Sequence, residues 1–177
     1  MAMRLLPLNV AELCAHALEL ERACERRFDH YAERMAEIGE RPLAMAFDRM
    51  ARTLRREITV LAAASGERKP ATLSPWEYAW RLTYMPEAVD DNAQLVPATA
   101  REALQCAVQA RRRAMIFYED VAGNAANAVV RAYAAELVAA KKAQQLRLER
   151  LLAREILSGA SRRPMEQAIR QQNLRPH

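Results

Sequence analysis

The chain has 177 residues and a formal net charge of +5, and 51% of its residues are hydrophobic, which suits one domain with a single apolar core. No apolar run approaches the roughly 18 residues that a membrane span needs, and the first ten residues are too short for a signal sequence. Three cysteines without a C-x-x-C spacing exclude a zinc ribbon and a rubredoxin-type iron site. They fit a reducing cytosol, so we expect a soluble cytoplasmic protein.

Two helices are predicted in the first third of the chain. Asn9-Val10-Ala11-Glu12 has capping-box spacing, which predicts a helix start, and the helical pattern continues to about Ile38, where Gly39 can end it. Pro42 suits the first turn of a second helix, which should end at Ser65-Gly66. The short link between the helices predicts an antiparallel hairpin. The apolar stripe of the second helix comprises Phe47, Met50, Leu54, Ile58 and Leu61.

The helical pattern lapses between Glu67 and Pro97, where four X-Pro pairs, both tryptophans and two of the five tyrosines occur. We interpret this segment as an ordered crossover that packs along the bundle, with room for one short helix around Pro75 to Leu82. An alternative role for its aromatic side chains is a subunit contact, through Trp76, Trp80 and Tyr84.

A second hairpin follows the crossover. Thr99-Ala100-Arg101-Glu102 is another capping box, and the helix that it starts should run to about Ala122, with Gly123 at its end. The fourth helix should start near Asn124 or Asn127 and run to about Leu157, where Ser158-Gly159 would close it.

The predicted fold is therefore all-α: an antiparallel four-helix bundle of two helical hairpins joined by a long crossover. The bundle should occupy residues 1–159. A C-terminal tail, residues 160–177, carries a short helical pattern and docks on the bundle, on a neighbouring subunit or not at all.

The first helix of each hairpin carries a charged residue on its apolar face. Glu21 precedes Phe28 by seven positions, and Arg111 precedes Tyr118 by the same number. Seven residues make two helical turns, so each pair lies on one face. A charge in an apolar stripe is costly unless it is paired, and its recurrence in both hairpins points to this region for function.

These features resemble the ferritin-like superfamily, and most closely its rubrerythrin-like branch. The resemblance covers about Ala11 to Ala153 and rests on the duplicated hairpin, the Glu21 to Phe28 spacing, the segment Ala114-Met115-Ile116-Phe117-Tyr118-Glu119 and the crossover segment Trp76-Glu77-Tyr78. It implies a site in which the first and third helices each supply a glutamate and the other two each supply Glu-x-x-His. In that family the six side chains bind two iron or manganese ions that react with dioxygen or peroxide.

The resemblance places largely different residues at these six positions. The first helix keeps a glutamate, Glu21, with Glu19 as its rival in an alternative register. Counting along the other helices gives the remaining positions as Leu54, Glu57, Arg111, Lys142 and Gln145.

Such a set does not suit divalent metal ions, because hard cations require several carboxylates and here two positions are cationic. We therefore predict a degenerate site without metal or other cofactor. In it, Glu21 and Glu57 pair with Arg111 and Lys142 in a buried ion network. The alternative is that Arg111 or Lys142 extends between the helices to water. The three histidines, His16, His30 and His177, are expected to be surface or helix-flank residues.

The leading functional hypothesis is a non-catalytic structural or interaction module, which forms a homo-oligomer, with a dimer favoured. The alternative is a diiron or dimanganese oxidoreductase, or an iron-handling protein, with an unusual site built from Glu21, Glu25, Glu57 and Glu136. Glu12, His16 and Glu19 form a further candidate metal cluster. A third hypothesis, a basic helical module for nucleic acid or acidic membrane surfaces, has weak support because no nucleic-acid-binding motif accompanies the short basic runs.

Overall fold

The computed structural model describes the backbone of residues 6–64 and 96–173, and the side chains of residues 6–63 and 96–159. These ranges form four α-helices: α1 (Val10–Glu37), α2 (Arg41–Ala64), α3 (Ala100–Asn124) and α4 (Ala128–Asn173). No residue in the described ranges is in a strand. The predicted all-α fold of two helical hairpins is confirmed.

Chain direction follows from the links and from one contact between the hairpins. Three residues separate α1 from α2, and three separate α3 from α4, so each pair is antiparallel. Arg34, near the end of α1, donates from Nε to the carbonyl oxygen of Pro97, just before α3, at 3.2 Å. Helices α1 and α3 are therefore antiparallel, and α2 and α4 must be antiparallel as well.

Polar side chains begin two of the helices, as the sequence predicts. The Asn9 side chain accepts a hydrogen bond from the Glu12 amide at 3.0 Å, and the Thr99 hydroxyl accepts one from the Glu102 amide at 3.2 Å. Gly39 follows α1 with φ of +83°, a left-handed conformation that favours glycine, and this conformation ends the helix.

The ends of α3 and α4 differ from the prediction. Helix α3 continues through Gly123 to Asn124, and α4 continues through Ser158-Gly159 to Asn173, so residues 160–173 of the predicted tail belong to α4 without a break. A glycine inside a helix costs only about 1 kcal/mol relative to alanine and does not force a turn. The Ser158 hydroxyl donates to the Arg154 carbonyl oxygen at 2.7 Å, the bond to residue i−4 that a serine inside a helix can make.

The apolar faces of the helices meet in one core that also encloses ionic side chains. Phe28, Phe47, Leu104 and Leu148 are buried in it, each at 3% exposure or less. The same face of α1 carries Glu21, and the same face of α3 carries Arg111, each at 1% exposure. Two buried charges therefore lie at the centre of the bundle, and this region is the candidate functional site.

The crossover prediction, including the short helix and the contact through Trp76, Trp80 and Tyr84, lies outside the described residues. Among the helices that the structure describes, none combines the length and the apolar character needed to cross a membrane.

Candidate functional site: an ion network between the hairpins

Five side chains from all four helices form a closed ring between the hairpins. Arg111 Nη1 donates to Glu21 Oε2 at 2.9 Å, and Arg111 Nη2 donates to Gln144 Oε1 at 2.7 Å. Gln144 Nε2 then donates to Glu57 Oε1 at 2.7 Å, and Lys141 Nζ donates to Glu57 Oε2. Lys141 Nζ closes the ring because it lies 3.3 Å from Glu21 Oε2.

Glu21 is the centre of this ring. Its Oε2 faces both cations, and its Oε1 accepts a hydrogen bond from the Tyr118 hydroxyl at 3.0 Å. Burial raises the pKa of this carboxyl, but the charges of Arg111 and Lys141 and the hydrogen bonds from Arg111 and Tyr118 together outweigh burial, so the pKa is lowered overall. Glu21 is therefore an anion that accepts two hydrogen bonds and also contacts the Lys141 ammonium.

The partners of Glu21 are held in fixed protonation states. Burial disfavours the charged guanidinium of Arg111, but the Glu21 charge raises its pKa above the ordinary value. Burial and the Glu21 charge raise the pKa of Tyr118 well above its ordinary range, so its hydroxyl stays protonated and donates. The Cys24 thiol lies beside the guanidinium and also favours its charge.

The exposure of the network side chains increases from the core toward the surface. The side chains of Glu21, Arg111 and Lys141 are at most 5% exposed, whereas that of Glu57 is 37% exposed. The formal charge of the whole network is zero, since two carboxylates face two cations. Leu54, one turn before Glu57, is 1% exposed and belongs to the apolar core.

The predicted register of α4 was wrong by one position. Lys141 rather than Lys142 contacts the carboxylates, and Gln144 rather than Gln145 bridges Arg111 and Glu57. Lys142 is exposed, and Gln145 is buried beside the ring, where its Nε2 donates to Glu149 at 2.8 Å. Lys141-Lys142 and Gln144-Gln145 are pairs of identical residues, so residue type does not reveal the phase of the helix.

The observed register of α4 predicts that two adjacent lysines contribute differently to the free energy of unfolding. Lys141→Met should lower the free energy of unfolding by about 3–5 kcal/mol, because Glu21 and Glu57 lose a shared cation at a buried position. Lys142→Met changes an exposed side chain and should stay within about 0.5 kcal/mol of the parent. Urea unfolding of the two variants measures both values, and equal effects would contradict the register.

The residues present do not fit the dimetal centre that the resemblance implies. Both oxygens of Glu21 and of Glu57 already accept from protein donors, and Lys141 Nζ contacts both carboxylates. Among the described residues, no group of three or more His, Cys, Asp and Glu side chains could hold a metal ion. Arg111 has no lone pair to offer as a ligand.

The alternative metal clusters are not brought together either. Glu25 pairs with Arg55 at 2.6 Å, and Glu136 is exposed on α4. Glu12 accepts a hydrogen bond from the Leu8 amide at the start of α1, while Glu19 is half-buried and lies 3.6 Å from Arg26. His16 is buried, with its ring 5.7 Å from that of Phe117. His30 is half-buried, with its ring 6.2 Å from that of Tyr31. His177 lies outside the described residues.

Sequence reasoning did not place Tyr118, Lys141 or Gln144 in the network. Tyr118 was recognisable as a residue on the same face as Arg111, but spacing alone does not show that its hydroxyl reaches Glu21. The phase of α4 is visible in the buried positions Val130, Ala134 and Leu148, which place Lys141 on the inner face.

Comparisons with known proteins give one informative match. No protein-family model matches the chain, and no match was found among curated proteins. The fold is similar to the crystal structure of an uncharacterised conserved protein from Magnetospirillum magnetotacticum MS-1, with a TM-score of 0.68 and 26% sequence identity. The match covers 82% of this chain and 95% of that one.

Proposed function

We propose that this protein is a ferritin-like protein of the rubrerythrin-like branch that lacks dimetal chemistry and works as a non-catalytic structural or interaction module. Support for the fold comes from the paired hairpins and from the Magnetospirillum protein of similar structure. Support for the loss of metal chemistry comes from one observation: two protein cations, Arg111 and Lys141, converge on Glu21 Oε2 at 2.9 and 3.3 Å.

In this proposal, covalently attached cations take the electrostatic role that metal ions have in the related proteins. A carboxylate at the centre of a bundle requires a positive partner, because an uncompensated buried charge is costly. Arg111 and Lys141 supply that charge permanently, whereas a metal ion must be acquired. The network therefore serves stability and shape.

Thermal melting with divalent metal tests this proposal. The parent protein should melt within about 1 °C of the same temperature with and without manganese or ferrous iron, since a ligand that does not bind the native state does not stabilise it. A rise of several degrees would instead support a dimetal oxidoreductase or iron-handling protein. Surface binding is excluded by repeating the measurement with calcium, which should have the same small effect as manganese.

We also propose that the protein is a homo-oligomer, with a dimer favoured. Several apolar side chains face outward on the long helix α4, including Val129 at 64%, Leu146 at 43% and Leu157 at 69% exposure. Burial of such side chains against another subunit would be favourable at about 25 cal/mol per Å². Light scattering at micromolar concentration should give at least twice the chain mass of 20.1 kDa, and a monomer mass would contradict the proposal.

A further inference from the structure

The ion network divides its charges between the two hairpins. Hairpin one, formed by α1 and α2, contributes only carboxylates, Glu21 and Glu57. Hairpin two, formed by α3 and α4, contributes the cations Arg111 and Lys141. Every ionic contact in the ring, the Gln144–Glu57 hydrogen bond and the Tyr118 hydrogen bond join one hairpin to the other, whereas the Arg111–Gln144 bond lies within hairpin two.

Apolar packing distinguishes the first helices of the two hairpins, α1 and α3, poorly. Helix α1 buries Phe28 seven positions after its central charge, and α3 buries Tyr118 at the equivalent place. Both helices bury leucine and alanine around these positions, so their apolar faces are similar in kind. The central charge differs in sign between these two helices: Glu21 on α1 and Arg111 on α3.

We propose that the network is a pairing code: hairpin one accepts only a face with cations at the positions of Arg111 and Lys141, which is hairpin two of the same chain or of a second copy. Two copies of hairpin one would bring four carboxylates together in the core. Two copies of hairpin two would bring four cations together. Like charges in a desolvated contact are strongly unfavourable, so both pairings of identical hairpins are rejected.

The code is needed because the hairpins are far apart in sequence. Thirty-five residues separate the end of α2 from the start of α3, so hairpin one of a chain meets hairpins of other chains as well as its own. A buried ionic group that selects one arrangement is an attested use of such groups in helical proteins.

Two full-length variant chains test the code. The acidic chain carries Arg111→Glu and Lys141→Glu, and the basic chain carries Glu21→Arg and Glu57→Lys. Each chain alone places four like charges in its core and should lose most of its helical signal. A mixture can form two correctly paired cores by exchanging hairpins, so the mixture should regain the helical signal of the parent, and differently tagged chains should co-purify in equal amounts.

Two matched controls separate charge pairing from other effects. A chain with Arg112→Glu and Lys142→Glu undergoes the same change in charge at exposed neighbouring positions and should fold alone, without needing the basic chain. A single chain that carries all four network substitutions has a reversed but complementary core and should also fold alone.

The proposal is overturned if the acidic or the basic chain keeps the parent's helical signal on its own. It is also overturned if the mixture fails to recover helicity, or if the fully reversed chain does not fold. The last result would show that the exact side-chain shapes, and not the distribution of charge, decide which hairpins pair.

Discussion

Replacing Arg111 with methionine should lower the free energy of unfolding by about 3–5 kcal/mol, because it leaves Glu21 buried with one of its two cations missing. Methionine fills similar space and adds no charge, so the loss reports on the ion network more than on packing. Gln144 also loses the donor to its side-chain oxygen. Urea unfolding monitored by circular dichroism measures the change.

Arg112→Met is the matched control for this variant. Arg112 is exposed, and its pair with Glu149 is one of the surface ion pairs that typically contribute less than about 1 kcal/mol. Arg111→Lys keeps the charge but loses the planar fork that reaches Glu21 and Gln144 together, so its effect should be intermediate. If Arg111→Met and Arg112→Met unfold at the same urea concentration, Arg111 does not stabilise a buried network.

Arg111→Glu should be more harmful than Arg111→Met. It restores the carboxylate that the family resemblance places on α3, but it leaves the network with three acids and one base. Manganese should recover little of the lost stability, since no histidine lies at position 57 or near Gln144. A melting temperature restored to that of the parent by manganese would argue for a latent metal site.

Glu21→Gln should cost about 3–5 kcal/mol at pH 7, and this cost should disappear in acid. The pKa of Glu21 is lowered in the folded protein from an ordinary value of 4.5. A lowered pKa contributes stability that is fully present above the unfolded value and is lost as pH falls through the folded value. Below about pH 4.5 the parent should therefore lose stability faster than Glu21→Gln, and the two should converge.

The control for the pH experiment is Glu19→Gln. Glu19 is the alternative residue in the other register of α1, and its side chain, 27% exposed, lies 3.6 Å from Arg26. A partly exposed ion pair of this kind contributes little, so the substitution should change the free energy of unfolding by less than about 1 kcal/mol at each pH measured. A difference between parent and Glu21→Gln that stays constant from pH 7 to pH 3 would contradict an ionised Glu21 in the core.

The sequence supports much of this architecture because its signals are local. The capping residues Asn9 and Thr99 specify helix starts through their own side chains, and the structure places them there. The heptad spacing from Glu21 to Phe28 and from Arg111 to Tyr118 identifies the inner faces of α1 and α3. Each of these features is determined within about two helical turns of chain.

The remaining features depend on tertiary contacts and were harder to predict. The choice between Lys141 and Lys142 requires the rotation of α4, since a shift of one residue turns a side chain by about 100° around the helix. Ser158-Gly159 predicted the end of α4, but the helix continues through both residues. A residue with low helix propensity lowers the stability of a helix without ending it. The reach of the Tyr118 hydroxyl to Glu21 depends on the packing distance between α1 and α3.

The most direct test of the central claim is the metal content of the parent protein after expression with added iron or manganese. If Arg111 and Lys141 replace the metal ions as partners of Glu21, elemental analysis should find well under one metal ion per chain. The Lys142→Met variant, which leaves the network intact, should give the same result as the parent. A content close to two ions per chain would contradict the account.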